Sequence, residues 1–125
     1  MYRIGVKCQF SAAHRLEGHP GKCSRLHGHS WTTEAVFAAR ELGPLGLALD
    51  FEEARGALEE VVAPFDHTCL NETEPFDSVA PTAENVARVI FERLQEKVRG
   101  AGWPVGLRSV TVWESPEAWA SFEKE

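Results

Sequence analysis

The residues of this sequence best suited to chemistry are His14, His27 and His29. Only Gly28 separates the last two, so in an extended strand both project to one side, about 7 Å apart at a rise of about 3.3 Å per residue. Imidazoles at that spacing can converge on one metal ion. Three histidine ligands with a fourth position open to water or substrate form a catalytic zinc pattern. We therefore predict a metal centre on these residues, with zinc as the best fit, although imidazole also binds other divalent metals.

Two nearby side chains leave the ligand set open. His19 is a rival ligand, but it lies in a loop rich in glycine and proline that does not fix its direction. Cys23 could be a fourth ligand, which would close the site and make the metal structural. An open site would instead leave Cys23 free as a thiolate that acts on a substrate.

A carboxylate beside an imidazole is the second candidate for chemistry. Asp66 and His67 are adjacent in a polar segment, and such a carboxylate can fix the tautomer of its neighbour. Together with Cys23 they would form a set suited to moving protons. The alternative is an ordinary polar pair in a loop, since sequence neighbours need not contact each other.

A third candidate is a glutamate in an apolar pattern. Glu114 continues the alternating face of Val110 and Val112, so its carboxylate points where the apolar side chains point. Carboxylates are seldom buried without a partner. The position suits a ligand with paired N–H donors, such as the edge of a 2-amino-4-oxo pyrimidine. The alternative is a glutamate at a strand end that reaches water.

Two alternating stretches must position the histidines. Residues 2–14 and 27–39 each place apolar side chains and histidines on one face, as strands do. If the two strands pair through the loop between them, His14 comes opposite His27 and His29.

Two helices are predicted next in the chain. Asp50 resembles the N-cap of the first, with Glu53 as its capping-box partner, and Thr82 resembles the N-cap of the second. We expect Gly100 and Gly102 to end the second helix. The buried stripe of the first helix is predicted to contain Phe51, Ala54, Leu58, Val61 and Val62.

The last part of the chain completes the fold class. We expect a strand over residues 106–114 and a short helix over residues 116–123. The order is then strand, strand, helix, helix, strand. This pattern indicates an α+β fold, with two helices on one face of a mostly antiparallel sheet.

The bulk composition narrows the class of protein. The chain has 125 residues, of which 43% are hydrophobic, so we expect one domain over residues 1–125. A net charge of −6 argues against nucleic acid as a partner. No run approaches the roughly 20 apolar residues of a membrane helix, and the N-terminal residues lack the apolar block of a signal peptide. We therefore expect a cytoplasmic protein with reduced thiols, in which Cys8 and Cys69 are packing residues and Trp103 and Trp119 are packing or interface residues.

Six motifs resemble the family of 6-pyruvoyl-tetrahydropterin synthases and 6-carboxy-tetrahydropterin synthases, over nearly the whole chain. They are Phe10-Ser-Ala-Ala-His14-Arg, Cys23-x3-His27-Gly-His29, Leu49-Asp-Phe51, Phe65-Asp-His67-x2-Leu-Asn71, Pro81-Thr-Ala-Glu-Asn85 and Val112-Trp-Glu114-Ser-Pro. The three residues between Cys23 and His27 resemble the bacterial 6-carboxy-tetrahydropterin synthases of queuosine biosynthesis, because pyruvoyl-forming members generally have a longer gap. The sequence departs from the family at Ala83, where a hydroxyl residue that could bond the pterin or the backbone is common.

The resemblance implies a tunnelling fold. This fold is a four-stranded antiparallel sheet with two helices on one face, and the sheets of several subunits join into a barrel. The usual assembly is a homohexamer of two trimers, with active sites between subunits. The resemblance also implies one Zn²⁺ per subunit on His14, His27 and His29.

The resemblance further implies roles for the remaining candidates. Cys23 is the implied catalytic acid or base, with Asp66 and His67 as its proton relay. The implied pterin-binding residues are Glu114, which anchors the ring, and its neighbours Thr82 and Glu84. By charge and position alone, the candidates for holding a triphosphate are Arg15, Lys22 and Arg25.

The implied reaction is that of a zinc-dependent lyase. It converts 7,8-dihydroneopterin triphosphate to 6-carboxy-5,6,7,8-tetrahydropterin, acetaldehyde and triphosphate. The alternative enzyme is a 6-pyruvoyl-tetrahydropterin synthase, which eliminates triphosphate and keeps the carbon skeleton. An alternative of another class is a non-catalytic binding protein held together by a structural zinc.

Overall fold

The central feature of the fold is a long antiparallel hairpin. The computed structural model describes all residues from Met1 to Glu125. Strands β1 (Tyr2–His14) and β2 (His27–Ala39) pair in a register that runs from Tyr2 opposite Ala39 to His14 opposite His27. The predicted pairing of the two strands is therefore confirmed.

The sheet has five strands, in the order β3-β1-β2-β4-β5. Strand β4 (Gly106–Ser115) pairs antiparallel with β2, and β5 (Ala118–Glu123) pairs antiparallel with β4. Strand β3 (Thr68–Cys69) runs parallel to β1 at the edge. The expected four-stranded sheet is thus extended by a two-residue parallel strand, which is too short to show a periodic sequence pattern.

The predicted helix over residues 116–123 is wrong, because the segment alternates and forms β5. Phe122 faces inward and packs on Phe91 of the second helix, with ring centroids 5.1 Å apart. Trp119, paired with Trp113 across the ladder, is 62% exposed. Trp119 is therefore not a packing residue within this chain, whereas Trp103 does pack, edge-on against Phe37.

Two helices cover one face of the sheet. Helix α1 (Phe51–Val62) packs against β1, and α2 (Ala83–Ala101) packs against β4 and β5. Their buried stripes join the inward residues of the sheet in one apolar cluster, against which Cys8 packs half-buried. Cys69 is also half-buried, on β3. No helix is both long and apolar enough to cross a membrane.

Local signals set most of the helix ends. The Asp50 carboxylate accepts a hydrogen bond from the backbone N–H of Glu52, so Asp50 is the N-cap, although the expected pairing with Glu53 does not form. Phe51 is 58% exposed, because the first residue of α1 lies beyond the apolar core, and its place in the buried stripe was wrongly predicted.

Residue type near each end of α2 also predicts where this helix begins and ends. Thr82 Oγ1 accepts from the backbone N–H of Asn85, as an N-cap does. The helix passes through Gly100 and ends before Gly102, whose φ of 65° is the left-handed conformation that glycine adopts readily.

Candidate metal centre and adjoining pocket

The structure brings the three histidines together at one end of the hairpin. His14 is the last residue of β1 and pairs with His27, while His29 pairs with Ala12. Because side chains alternate along each strand, all three rings project to the helix-covered face. Their nitrogen ligand atoms lie within 4.8 Å of one another, in a group that could hold a metal ion.

Hydrogen bonds to backbone carbonyls settle which ring nitrogens are free. His14 Nδ1 lies 2.7 Å from the carbonyl oxygen of Pro81, and His27 Nδ1 lies 2.7 Å from that of Arg25. A carbonyl only accepts, so each Nδ1 carries the proton and each Nε2 keeps a lone pair. Such carbonyl partners are typical of histidines that bind metals through the other nitrogen.

Two of these nitrogens are buried without a partner. Nε2 of His14 and Nε2 of His29 are both buried and make no hydrogen bond. Buried polar atoms are normally paired, and an unpaired one costs free energy. A cation bound between the three rings would satisfy both atoms, so the residues present fit a divalent metal.

Burial also keeps the ligands in the form that binds metal. It lowers the pKa of His14 and that of His29 below the ordinary value of 6.5, although the negative charge of Glu114 opposes this shift at both. Metals bind the neutral imidazole. Both side chains are therefore ready to bind a cation at neutral pH without first losing a proton.

Trp31 packs against two rings of the histidine cluster. It is fully buried, and its ring meets those of His14 and His29 edge-on, with centroids 5.1 and 5.5 Å apart. Its Nε1 donates to the backbone carbonyl of Ala12 at 3.3 Å. Trp31 follows His29 by two residues on β2, so alternation places both on one face, but its contact with His14 depends on the register between β1 and β2.

The two rival ligands lie outside the histidine cluster. His19 accepts a hydrogen bond at Nδ1 from the backbone N–H of Gly21. The Cys23 thiol is not one of the clustered ligand atoms either. Cys23 is half-buried in the loop between β1 and β2, where its carbonyl accepts a 2.7 Å bond from the N–H of Leu16. The group that could hold a metal ion thus consists of three histidines, without His19 or Cys23.

A pocket adjoins the cluster of three histidines. Glu114 Oε1 lies 3.7 Å from His14 Nε2, and the carboxylate is 28% exposed, so it faces inward yet reaches solvent. Glu114, Thr82 and Glu84 line one cavity of about 350 Å³ between the start of α2 and the β4–β5 hairpin. The three residues expected to bind a ring therefore meet in one pocket beside the histidines.

Asp66 and His67 contact each other but lie on the outer edge of β1. Asp66 Oδ1 accepts from the backbone N–H of Ser11 at 2.9 Å, and Oδ2 lies 3.0 Å from His67 Nδ1. The Ser11 and His67 hydrogen bonds lower the pKa of Asp66. The His67 side chain is 81% exposed, and the residue has a left-handed φ of 58°. No hydrogen bond joins the pair to Cys23 within this chain.

The basic candidates do not gather around the pocket. Arg15 Nε lies 3.5 Å from Glu17 Oε1 and lines a separate cavity of about 600 Å³. Lys22 and Arg25 are exposed in the loop between β1 and β2.

This chain is similar to known proteins in both sequence and fold. The family described as 6-pyruvoyl tetrahydropterin synthase matches residues 3–125. A 6-carboxy-5,6,7,8-tetrahydropterin synthase of Synechocystis is 38% identical over 120 residues, covering 92% of this chain and 88% of the relative. A dihydroneopterin monophosphate aldolase of Pyrococcus furiosus is 31% identical over 121 residues, covering 97% and 96%.

The fold agrees with a solved structure of the same family. The 6-pyruvoyl tetrahydropterin synthase of Caenorhabditis elegans superposes with a TM-score of 0.86 at 26% identity, over 99% of this chain and 96% of that one. The expected tunnelling fold is thereby confirmed for the chain. A match from residue 3 to residue 125, with a solved fold this similar, shows that the chain belongs to the 6-pyruvoyl tetrahydropterin synthase family.

Proposed function

We propose that this chain is a zinc-dependent lyase that converts 7,8-dihydroneopterin triphosphate and water to 6-carboxy-5,6,7,8-tetrahydropterin, acetaldehyde and triphosphate. The observation that carries the proposal is the cluster of three imidazoles with unpaired Nε2 atoms, beside a pocket with the Glu114 carboxylate 3.7 Å away. The Synechocystis relative, a 6-carboxy-5,6,7,8-tetrahydropterin synthase, supports the choice of product.

Glu114 is the proposed anchor of the pterin ring. A pterin presents its 2-amino group and the neighbouring ring N–H side by side, as a guanidinium does, and a carboxylate accepts both hydrogen bonds at once. Glu114 shares its cavity with Thr82 and Glu84 and lies beside His14. A ring held there would direct its C6 side chain toward the metal-binding nitrogens.

The proposed chemistry combines a metal with proton transfer by side chains. A divalent metal at the three histidines would supply Lewis-acid polarisation of oxygens on the substrate side chain. Cys23 is proposed to take and return protons at the side-chain carbons. Asp66, held ionised by its hydrogen bonds, would fix Nδ1 of His67 as a donor and leave Nε2 of His67 to exchange protons.

We also propose that the relay and the metal centre meet between subunits, in a homohexamer of two trimers. Two observations support this assembly. The exposed His67 lies on the outer edge of β1, and β3 covers that edge only at Ala12 and Ala13, so most of β1 has no partner strand there. Open edges of this kind can pair with a strand of another chain. We place the assembled enzyme in the cytoplasm and in queuosine biosynthesis.

Product identification tests the proposal. The purified protein is incubated with 7,8-dihydroneopterin triphosphate, with and without a chelator, and the products are separated by mass. Acetaldehyde and 6-carboxy-tetrahydropterin are expected, and only without the chelator. A product that retains every side-chain carbon would identify the 6-pyruvoyl reaction instead. The monophosphate is assayed in parallel, because the Pyrococcus furiosus relative is a monophosphate aldolase.

Chelation also tests the non-catalytic alternative. A structural zinc contributes folding free energy, so its removal unfolds the protein. The open site described here predicts a folded, inactive apoprotein, which circular dichroism distinguishes from an unfolded chain.

A further inference from the structure

The segment that carries Asp66 and His67 is docked along the edge of β1. The His67 N–H donates to the Ser11 carbonyl at 2.6 Å, and the Ser11 N–H donates to Asp66. The two residues of β3 then pair in parallel with Ala12 and Ala13. Backbone hydrogen bonds thus follow β1 up to the residue before His14.

A side chain continues this ladder where the backbone pairing ends. Asn71 Oδ1 accepts from the backbone N–H of Arg15 at 2.9 Å, and Asn71 Nδ2 donates to the backbone carbonyl of Arg15 at 3.0 Å. The amide therefore satisfies both backbone groups of Arg15, as a neighbouring strand would. Aspartate lacks the donor and leucine lacks both groups, so neither can replace this pair of bonds.

The residue held by Asn71 lies between two functional groups. His14 precedes Arg15 directly, and its Nδ1 must stay on the Pro81 carbonyl for Nε2 to face the other ligands. Leu16 follows Arg15, and its N–H bonds the carbonyl of Cys23. A shift of the Arg15 peptide would therefore move a ring nitrogen and the Cys23 loop together.

We propose that Asn71 is a positioning residue, which fixes the Arg15 peptide and thereby sets the position of His14 in the metal centre and of the loop that carries Cys23. This inference rests on the proposed metal-binding function of the three histidines. Asn71 makes no hydrogen bond to the metal-binding rings and does not line the pocket that contains Glu114, so it acts through the chain it holds.

The test compares Asn71→Leu and Asn71→Asp with a control in the same loop. Thr73→Val is the control, because Thr73 Oγ1 donates to the Cys69 carbonyl at 2.9 Å, a half-buried hydrogen bond within the same segment that involves neither Arg15 nor His14. Co²⁺ affinity and the visible spectrum of bound Co²⁺ report the metal centre. The rate at which iodoacetamide alkylates Cys23 in metal-free protein, followed by peptide mass, reports the thiol. Thermal unfolding reports stability.

Both Asn71 variants are expected to weaken Co²⁺ binding by about 10–100-fold, the range for partners that orient metal ligands. They should also alter the Co²⁺ spectrum and the Cys23 alkylation rate, whereas Thr73→Val should change the melting temperature alone. If Asn71→Leu does not fold, Asn71→Asp decides, since it keeps the volume and the acceptor but adds a negative charge and sets an oxygen that cannot donate against the Arg15 carbonyl.

The inference is overturned if an Asn71 variant folds, is less stable, and yet keeps the wild-type Co²⁺ affinity, Co²⁺ spectrum and Cys23 alkylation rate. Asn71 would then have a structural role only. The wild-type protein separates this failure from that of the proposed function. If the wild type does not bind Co²⁺, the metal-centre proposal fails, and an unchanged Cys23 alkylation rate in the variants then still refutes the positioning of Cys23.

Discussion

The Glu114→Gln substitution tests how the pocket recognises its ligand. Glu114→Gln keeps the side-chain shape, but it leaves one acceptor and turns an NH₂ donor toward the second N–H of the pterin edge. A hydrogen bond to a charged group is worth about 1.5–3 kcal/mol, and 1.4 kcal/mol is tenfold in affinity. Loss of one such bond therefore weakens binding by about 10–150-fold. Because Glu114 is 28% exposed, water offsets part of this loss, and we expect the lower half of the range.

The same substitution should leave the metal in place. Burial lowers the pKa of His14 and of His29, and the negative charge of Glu114 opposes this shift. Removing that charge therefore lowers both pKa values further and keeps both rings neutral. Metal analysis should then find wild-type content, while kcat/KM falls and titration with a pterin shows weaker binding. Glu117→Gln, an exposed position on the same hairpin, is the matched control. Wild-type pterin affinity in Glu114→Gln, or an equal loss in Glu117→Gln, would refute the anchor.

Three further predictions concern the thiol, acid pH and the core. Cys23→Ala should lower kcat by about 10²–10⁴-fold while metal content stays unchanged; loss of the metal would instead make Cys23 a ligand. Because burial lowers the pKa of His14 and of His29 below 6.5, the unfolded chain binds protons that the native apoprotein does not. The melting temperature of metal-free protein should therefore fall as pH drops below 6.5, and a flat profile from pH 7.5 to 5.5 would contradict this. Leu58→Ala, at a fully buried position in α1, should lower the free energy of unfolding by about 2–5 kcal/mol in denaturant titrations; a change below about 1 kcal/mol would mean that the core closes over the space.

The long elements could be predicted from the sequence because their patterns repeat. Strands β1 and β2 alternate over 13 residues each, and this length leaves little choice of face or register. Asp50 and Thr82 cap their helices through local hydrogen bonds, which residue type alone suggests. Strand β5 has only six residues, and its place is decided by pairing with β4 and by Phe122 packing on α2. Its alternation covers too few residues to distinguish a strand from a short helix, and a short helix was expected there.

The candidate site also contains residues that the sequence could predict and contacts that it could not. Side chains that reach the site by alternation, His14 and Glu114 among them, could be identified from spacing. The partner of His14 could not, because it is the backbone carbonyl of Pro81, and any residue has one. Asp66 and His67 were paired correctly with each other, since they are adjacent. Their position on the outer edge of β1, with no hydrogen bond to Cys23, depends on where β3 pairs, and a strand of two residues gives no pattern from which to predict it.

The clustering of the three histidines is therefore a consequence of the core. In a β-ladder, a slip of one residue moves every side chain of a strand to the opposite face. A shifted β1 would expose Val6 and Phe10, which are now 4% and 2% exposed, and would turn His14 away from His27 and His29. The free energy that holds the apolar residues inside thus also holds three imidazoles in one group. This link explains how buried, unpaired Nε2 atoms can persist in a folded chain, because the apolar burial along β1 and β2 offsets their cost.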